Sequence, residues 1–240
     1  DCISLLSDVV WRNQIIEVGL RPHEISTFLN LESTSQFFPL TMDYCILNEE
    51  NDPNFEGDIE YAMTVLKCRE VHANENMGHW NDWVARCPSL VLATELNCCV
   101  HNITGVGHTL TQLEVLKLCE PRNAPREVET PTFPPNLHTL FVEMYVHQDM
   151  WESIVFPRYL RTLEIDFLGN HKPFPIDLFF QPLTGLTYLE ELRSYTNLHP
   201  PIAELPNFDQ WPNLTKLSLR FATVQLAQQV LRAIPTIQLR

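Results

Sequence analysis

The side chains best suited to chemistry in this sequence are Cys68, His72, His79 and Cys87, which follow one another as C-x3-H-x6-H-x7-C. Thiolate and imidazole are the ligands zinc prefers, and four of them close a tetrahedral shell. Structural zinc sites, however, draw their cysteines from closely paired C-x2–4-C units, and this chain has none. The spacing therefore predicts no metal site. His138 and Thr139 lie side by side, but no Ser or Cys nucleophile is placed relative to them by any sequence rule. There is no G-x-S-x-G, no H-E-x-x-H, no phosphate-cradling glycine loop and no G-x-G-x-x-G. The chemistry-bearing residues predict no enzyme, no cofactor and no bound metal. What remains is binding.

The elements that must position a binding surface are written as a repeat, the feature to look for first. The unit L-x-x-L-x-L appears at Leu113–Leu118, Leu137–Val142, Leu160–Ile165 and Leu214–Leu219, with a weaker copy at Leu189–Ser194. Degenerate copies stand upstream at Met63–Cys68 and Ala93–Cys98. The starts at 63, 93, 113, 137, 160, 189 and 214 are separated by 30, 20, 24, 23, 29 and 25 residues, and Ile237 opens what reads as one more strand. Each L-x-L core is a period-2 strand with two apolar side chains on one face. One such strand cannot bury its own face, but stacked copies share a core. Pro135, Pro157 and Pro212, just before three of the strands, suit the turns that lead in and cannot sit in a central strand. Val224, Ala227, Leu231 and Ile234 form a helical stripe for the opposite side.

Residues 61–240 thus resemble the leucine-rich-repeat family, although the usual Asn three residues after the last strand Leu is missing. The expected fold is α/β, a leucine-rich-repeat solenoid with a curved parallel sheet and irregular helices and loops on its convex side. Its concave face would carry the x positions of each strand and the residue just beyond. The candidate contacts there are Lys117, His138, Phe141, Arg161, Glu164, Arg193, Tyr195, Lys216 and Arg220. Mixed charge with aromatic residues suits a protein ligand better than a nucleic acid.

The first forty residues are of another kind. Leu6-Ser-Asp8 precedes an apolar run through Val9, Val10, Ile15 and Ile16. Leu20-Arg-Pro22-His-Glu24-Ile25 follows, and then Phe28, Leu29 and Leu31. This reads as short amphipathic helices, with Asp8 as a cap and Pro22 in a first turn. Residues 1–42 look like an F-box: Leu20–Ile25 matches its Leu-x-Pro-x-Asp-Leu centre, with Glu and Ile for Asp and Leu, and Leu6-Ser7 stands for Leu-Pro. The resemblance implies a small helical segment that buries an apolar face in the Skp adaptor of a cullin-based ubiquitin ligase. Its contacts would be Leu6, Ile16, Leu20, Pro22 and Ile25. The chain would then be a substrate-recognition subunit, its repeats holding a protein substrate. The alternative is an interaction scaffold whose helical cap has no ligase link.

Residues 43–60 carry Asp43, Glu49, Glu50, Asp52, Glu56, Asp58 and Glu60 with no Lys or Arg, and are expected as a solvated acidic linker. Of the 30 acidic and 16 basic side chains, 12 and 2 lie in residues 1–60, so most of the net charge of −14 sits ahead of the repeats. That balance argues against phosphate-backbone binding. The 33 leucines among 240 residues, against only 7 glycines, argue against disorder. No stretch reaches 18 apolar residues, so no membrane is expected as a partner. Seven cysteines, odd in number and irregularly spaced, suit reduced thiols in the cytoplasm or nucleus. The sequons at Asn102 and Asn213 then read as accidental. The opening Asp1 reads as a trimmed start.

Overall fold

A computed structural model of the chain describes residues 44–47, 55–64, 68–73, 80–99, 109–119, 131–145, 148–168, 174–201 and 204–234. They fall into two compact units that divide between Cys98 and Cys99. Both are α/β, and every paired strand within them is parallel.

The first unit alternates β1 (Tyr44–Leu47), α1 (Phe55–Thr64), β2 (Glu70–Ala73), α2 (Trp80–Arg86), a 3-10 turn (Pro88–Leu92) and β3 (Glu95–Cys98). Strand β2 lies between β1 and β3. Two expectations are corrected here. The first concerns the strand expected from Met63. Ile59, Ala62 and Met63 fall at i, i+3 and i+4, and all three are fully buried as the inner face of α1. The helical period overrides the L-x-x-L-x-L match. The strand comes later, and its frame is Cys68-Arg-Glu-Val71-His-Ala73. The Arg69 carbonyl accepts from the Thr94 and Glu95 amides at 3.0 and 3.1 Å, the bond pattern that recurs at the later repeats. A start at 68 restores a step of 25 residues to Ala93.

The second correction concerns the acidic linker, which holds β1 and most of α1. Tyr44 pairs with Glu70, which sets a further repeat frame at 42, 26 residues before Cys68. Glu56 and Glu60 of α1 are structural. Glu56 accepts from Arg86 Nε at 2.6 Å, and Glu60 Oε1 accepts from the Ser89 amide at 3.1 Å, capping the 3-10 turn.

The second unit contains β4 (Val115–Cys119), β5 (Thr139–Met144), α3 (Gln148–Ser153) and β6 (Thr162–Phe167). It continues with β7 (Phe174–Pro175), α4 (Ile176–Phe180), β8 (Glu191–His199), β9 (Lys216–Phe221) and α5 (Val224–Ala233). The strand order is β4-β5-β6-β8-β9, and β7 pairs with the far end of β8. A tight turn enters each full repeat. The amides of Leu113, Leu137, Leu160, Leu189 and Leu214 donate to the carbonyls of Leu110, Pro134, Pro157, Leu186 and Trp211 at 3.1–3.4 Å. Pro135 and Pro212 sit second in two of these turns, where a fixed φ is an advantage.

Alternation then sets the core. Leu116, Leu118, Leu140, Val142, Leu163, Ile165 and Leu192 point inward and are at most 3% exposed, while their neighbours face out. Aromatic residues close the inner side. Trp151 lies 4.9 Å from Phe167 and 5.6 Å from Phe179 between ring centroids, and Trp211 lies 5.1 Å from Phe180. Both indoles are satisfied, Trp151 Nε1 by the Phe179 carbonyl at 3.1 Å and Trp211 Nε1 by the Leu183 carbonyl at 3.0 Å.

Candidate functional site

The register of the second unit arranges its outward side chains in rows that cross the strands. One row runs Val115, Thr139, Thr162, Glu191, Lys216. The next runs Lys117, Phe141, Glu164, Arg193, Ser218. A third begins Cys119, Glu143, Asp166. Seven of the nine expected contact residues lie on this face. His138 and Arg161 stand one residue ahead of β5 and β6, exposed, with their carbonyls tied to the next repeat.

The charges concentrate at β6, β8 and β9. Arg193 Nε donates to Glu191 Oε1 at 2.6 Å, and Lys216 Nζ donates to Glu191 Oε2 at 3.2 Å. Arg193 also reaches Glu164 at 3.8 Å, and Arg161 pairs with Glu190 at 3.4 Å. Burial pushes the Glu191 carboxyl up, but the hydrogen bonds from Lys216 and Arg193 outweigh it and hold it below the usual range. In return, the hydrogen bond and charge of Glu191 raise the Arg193 guanidinium further above its ordinary value. The result is a carboxylate fixed between two cations. Glu191, Arg193, Tyr195, Lys216, Leu217 and Ser218 line an open cavity of about 350 Å³ there.

Tyr195 owes its place to an irregularity. Ser194 pairs with Leu219, yet Asn197 pairs with Arg220, so Tyr195 and Thr196 are extra residues on β8. The two-residue insertion preserves parity, which keeps Thr196 buried and leaves Tyr195 50% exposed on the outward face. It falls where β8 exchanges β6 for β7 as its partner. Bulges of this kind re-aim side chains next to binding sites.

Sequence reasoning missed Glu191 as the hub of the ion pairs; its signal was an acid two residues before Arg193. It also missed a ladder along the turns. Asn136 Nδ2 donates to the Thr111 carbonyl and Asn213 Nδ2 to the Thr187 carbonyl, each at 2.7 Å. Tyr159 and Tyr188 occupy the same position in the repeats between, their rings 5.5 Å apart. A shared Pro-Asn-Leu ending at Leu137 and at Leu214 was the available signal.

In the first unit three of the residues weighed as zinc ligands, Cys68, His72 and Cys87, have other partners. His72 Nε2 lies 2.7 Å from Glu70 Oε1, and the Cys68 thiol donates to the Glu70 carbonyl at 3.3 Å. The buried Cys87 thiol is pushed up to about 11 by burial and by Glu56 and Glu60. His79 lies outside the described residues. Among the described residues no three His, Cys, Asp or Glu side chains are grouped to hold a metal ion, and no helix is long and apolar enough to cross a membrane. The expected adaptor contacts Leu6, Ile16, Leu20, Pro22 and Ile25, and the strand expected from Ile237, also lie outside the described residues. Compared with known proteins, the chain matches no protein-family model, and no curated protein matches it in sequence.

Proposed function

We propose that the chain is a leucine-rich-repeat substrate receptor of an SCF-type ubiquitin ligase. The observation that carries the recognition half of this reading is the outward row Lys117, Phe141, Glu164, Arg193, Ser218. It offers one side chain per strand, in unbroken register, with charges of both signs beside an aromatic ring. Five strands about 4.8 Å apart present roughly 20 Å of such surface. A mixed, partly aromatic surface of this kind suits a protein partner. The ligase half rests on the likeness of residues 1–42 to an F-box, with Leu6, Ile16, Leu20, Pro22 and Ile25 docking the Skp adaptor. On this reading the chain is no enzyme: it positions a substrate for ubiquitin transfer by the rest of the ligase, inside the cell.

The test is a pull-down of the full chain with the Skp adaptor. Wild type is expected to retain the adaptor, and Leu20→Asp combined with Ile25→Asp to lose it, because a charge in the centre of an apolar interface is left unpaired. A negative wild-type result would sink the ligase reading and leave a scaffold whose repeats bind protein. Retention by both forms would sink the ligase reading as well, because the likeness of residues 1–42 to an F-box would then not be what binds the adaptor.

A further inference from the structure

The outward face of the second unit sorts its charges by strand. Near the ends of β5 and β6, Glu143 and Asp166 stand in register on neighbouring strands, with Glu164 one row earlier. Lys117 on β4 flanks this acidic side. On β9 the outward side chains are Lys216, Ser218 and Arg220, all exposed. Glu191 offsets one of the charges on Arg193 and Lys216, which both bond it, and with Arg220 the outward residues of β8 and β9 still carry three cations against that one carboxylate. Lys216 keeps donors to spare after that bond, and Arg220 makes no ion pair among the described residues. Tyr195 stands on β8, beside β9, its ring half exposed.

We propose that this face takes an extended protein segment with a basic side chain over Glu143 and Asp166 and an acidic one over Lys216 and Arg220. The inference rests on the reading of this face as the partner surface and adds the partner's chemistry. From the β5–β6 boundary to β9 is two and a half strand spacings, about 12 Å, or roughly three to four residues of extended chain. The two charges of the ligand are therefore about three or four residues apart. Tyr195 packs against the stem between them, where an apolar ring with a polar tip is useful. A segment of one sign meets attraction at one pole and repulsion at the other, so the arrangement selects by charge order as well as by charge.

The probes are labelled alanine-based peptides carrying a Lys pair and a Glu pair three residues apart, Lys pairs only, or Glu pairs only. Binding to the full chain is read by fluorescence anisotropy at about 50 mM salt, where screening is weak. The mixed peptide is expected to bind at least about fivefold tighter than either single-sign peptide. Lys216→Glu with Arg220→Glu should make the Lys-only peptide the best ligand, and Glu143→Lys with Asp166→Lys should favour the Glu-only peptide. All four positions are solvent-facing, so neither variant removes core. Equal binding of the three peptides, or a rank order unmoved by both variants, would overturn the proposal. So would a wild type that binds none of them, whatever the adaptor pull-down gives. Peptide binding without adaptor retention would leave this inference standing and remove the ligase reading alone.

Discussion

Trp151 is the position at which the packing argument is most exposed to test. It is fully buried, with ring centroids 4.9 Å from Phe167, 5.5 Å from Phe156 and 5.6 Å from Phe179, and its indole nitrogen donates to the Phe179 carbonyl at 3.1 Å. Truncation to Ala removes the transfer term and opens a cavity, together about 3–5 kcal/mol. Trp151→Phe keeps most of the apolar contact but withdraws the donor from a buried carbonyl, which costs about 1–3 kcal/mol, plus a smaller packing loss. Against a total stability of roughly 5–15 kcal/mol, the Ala variant should be severely weakened. In a chain of this size each kcal/mol lowers Tm by about 2–4 °C, so Trp151→Ala should fall by on the order of 10 °C. Urea unfolding followed by far-ultraviolet circular dichroism gives the free energies. Val155, 80% exposed, supplies the control: Val155→Ala should stay within about 0.5 kcal/mol of wild type. If Trp151→Ala also stays within that margin, the aromatic closure of the second unit is not what stabilises it.

Three further outcomes follow from the same geometry. Asn213→Ala loses the 2.7 Å bond to the Thr187 carbonyl and should cost about 0.5–1.5 kcal/mol in urea unfolding, with Asn136→Ala comparable through Thr111. Glu191→Gln should cost at most about 1 kcal/mol at pH 7, because the pair is partly exposed. A lowered carboxyl pKa contributes stability above the ordinary Glu value of 4.5 and loses it as pH falls through the folded-state value, so the gap between Gln variant and wild type should close in acid. A gap that widened in acid would contradict the hydrogen-bonded carboxylate. Of Cys68, Cys87, Cys98, Cys99 and Cys119, Cys119 alone is exposed and should be alkylated first of these in the native protein. Burial and Glu143 raise its thiol, so the rate should climb with pH above the usual thiol range. Cys87, held near 11, should react only on unfolding.

The strands from Leu113 onward were legible because each carries branched apolar residues at positions 1 and 4, and all but the copy ending in Ser194 carry one at position 6, which the pleat turns inward. Parity alone then placed Lys117, Phe141, Glu164, Arg193 and Lys216 on one outward face. Upstream, the same pattern misled. Met63, Leu66 and Cys68 match the unit, yet Ile59, Ala62 and Met63 bury a helix face, and tertiary burial decides between two periods that share a residue. The true frame at Cys68 offers only Val71 and Ala73 as its later inward residues, and the frame at 42 offers Met42, Cys45 and a single leucine, Leu47, just ahead of the acids from Glu49. Tyr195 was legible as the residue after a strand, but not as one of two extra residues in β8. That insertion coincides with β8 changing partners between β6 and β7, a non-local event without a local signature. The Asn136 and Asn213 ladder was missed for a similar reason: its acceptor lies one repeat away.

The central claim, that this chain brings a protein ligand to a ubiquitin ligase, is tested most directly by titrating the purified Skp adaptor into the full chain in a calorimeter. One adaptor should bind per chain with a dissociation constant in the micromolar range or tighter, with at least a tenfold loss in Leu20→Asp with Ile25→Asp. No saturable binding to wild type, or equal binding to the double variant, would contradict it.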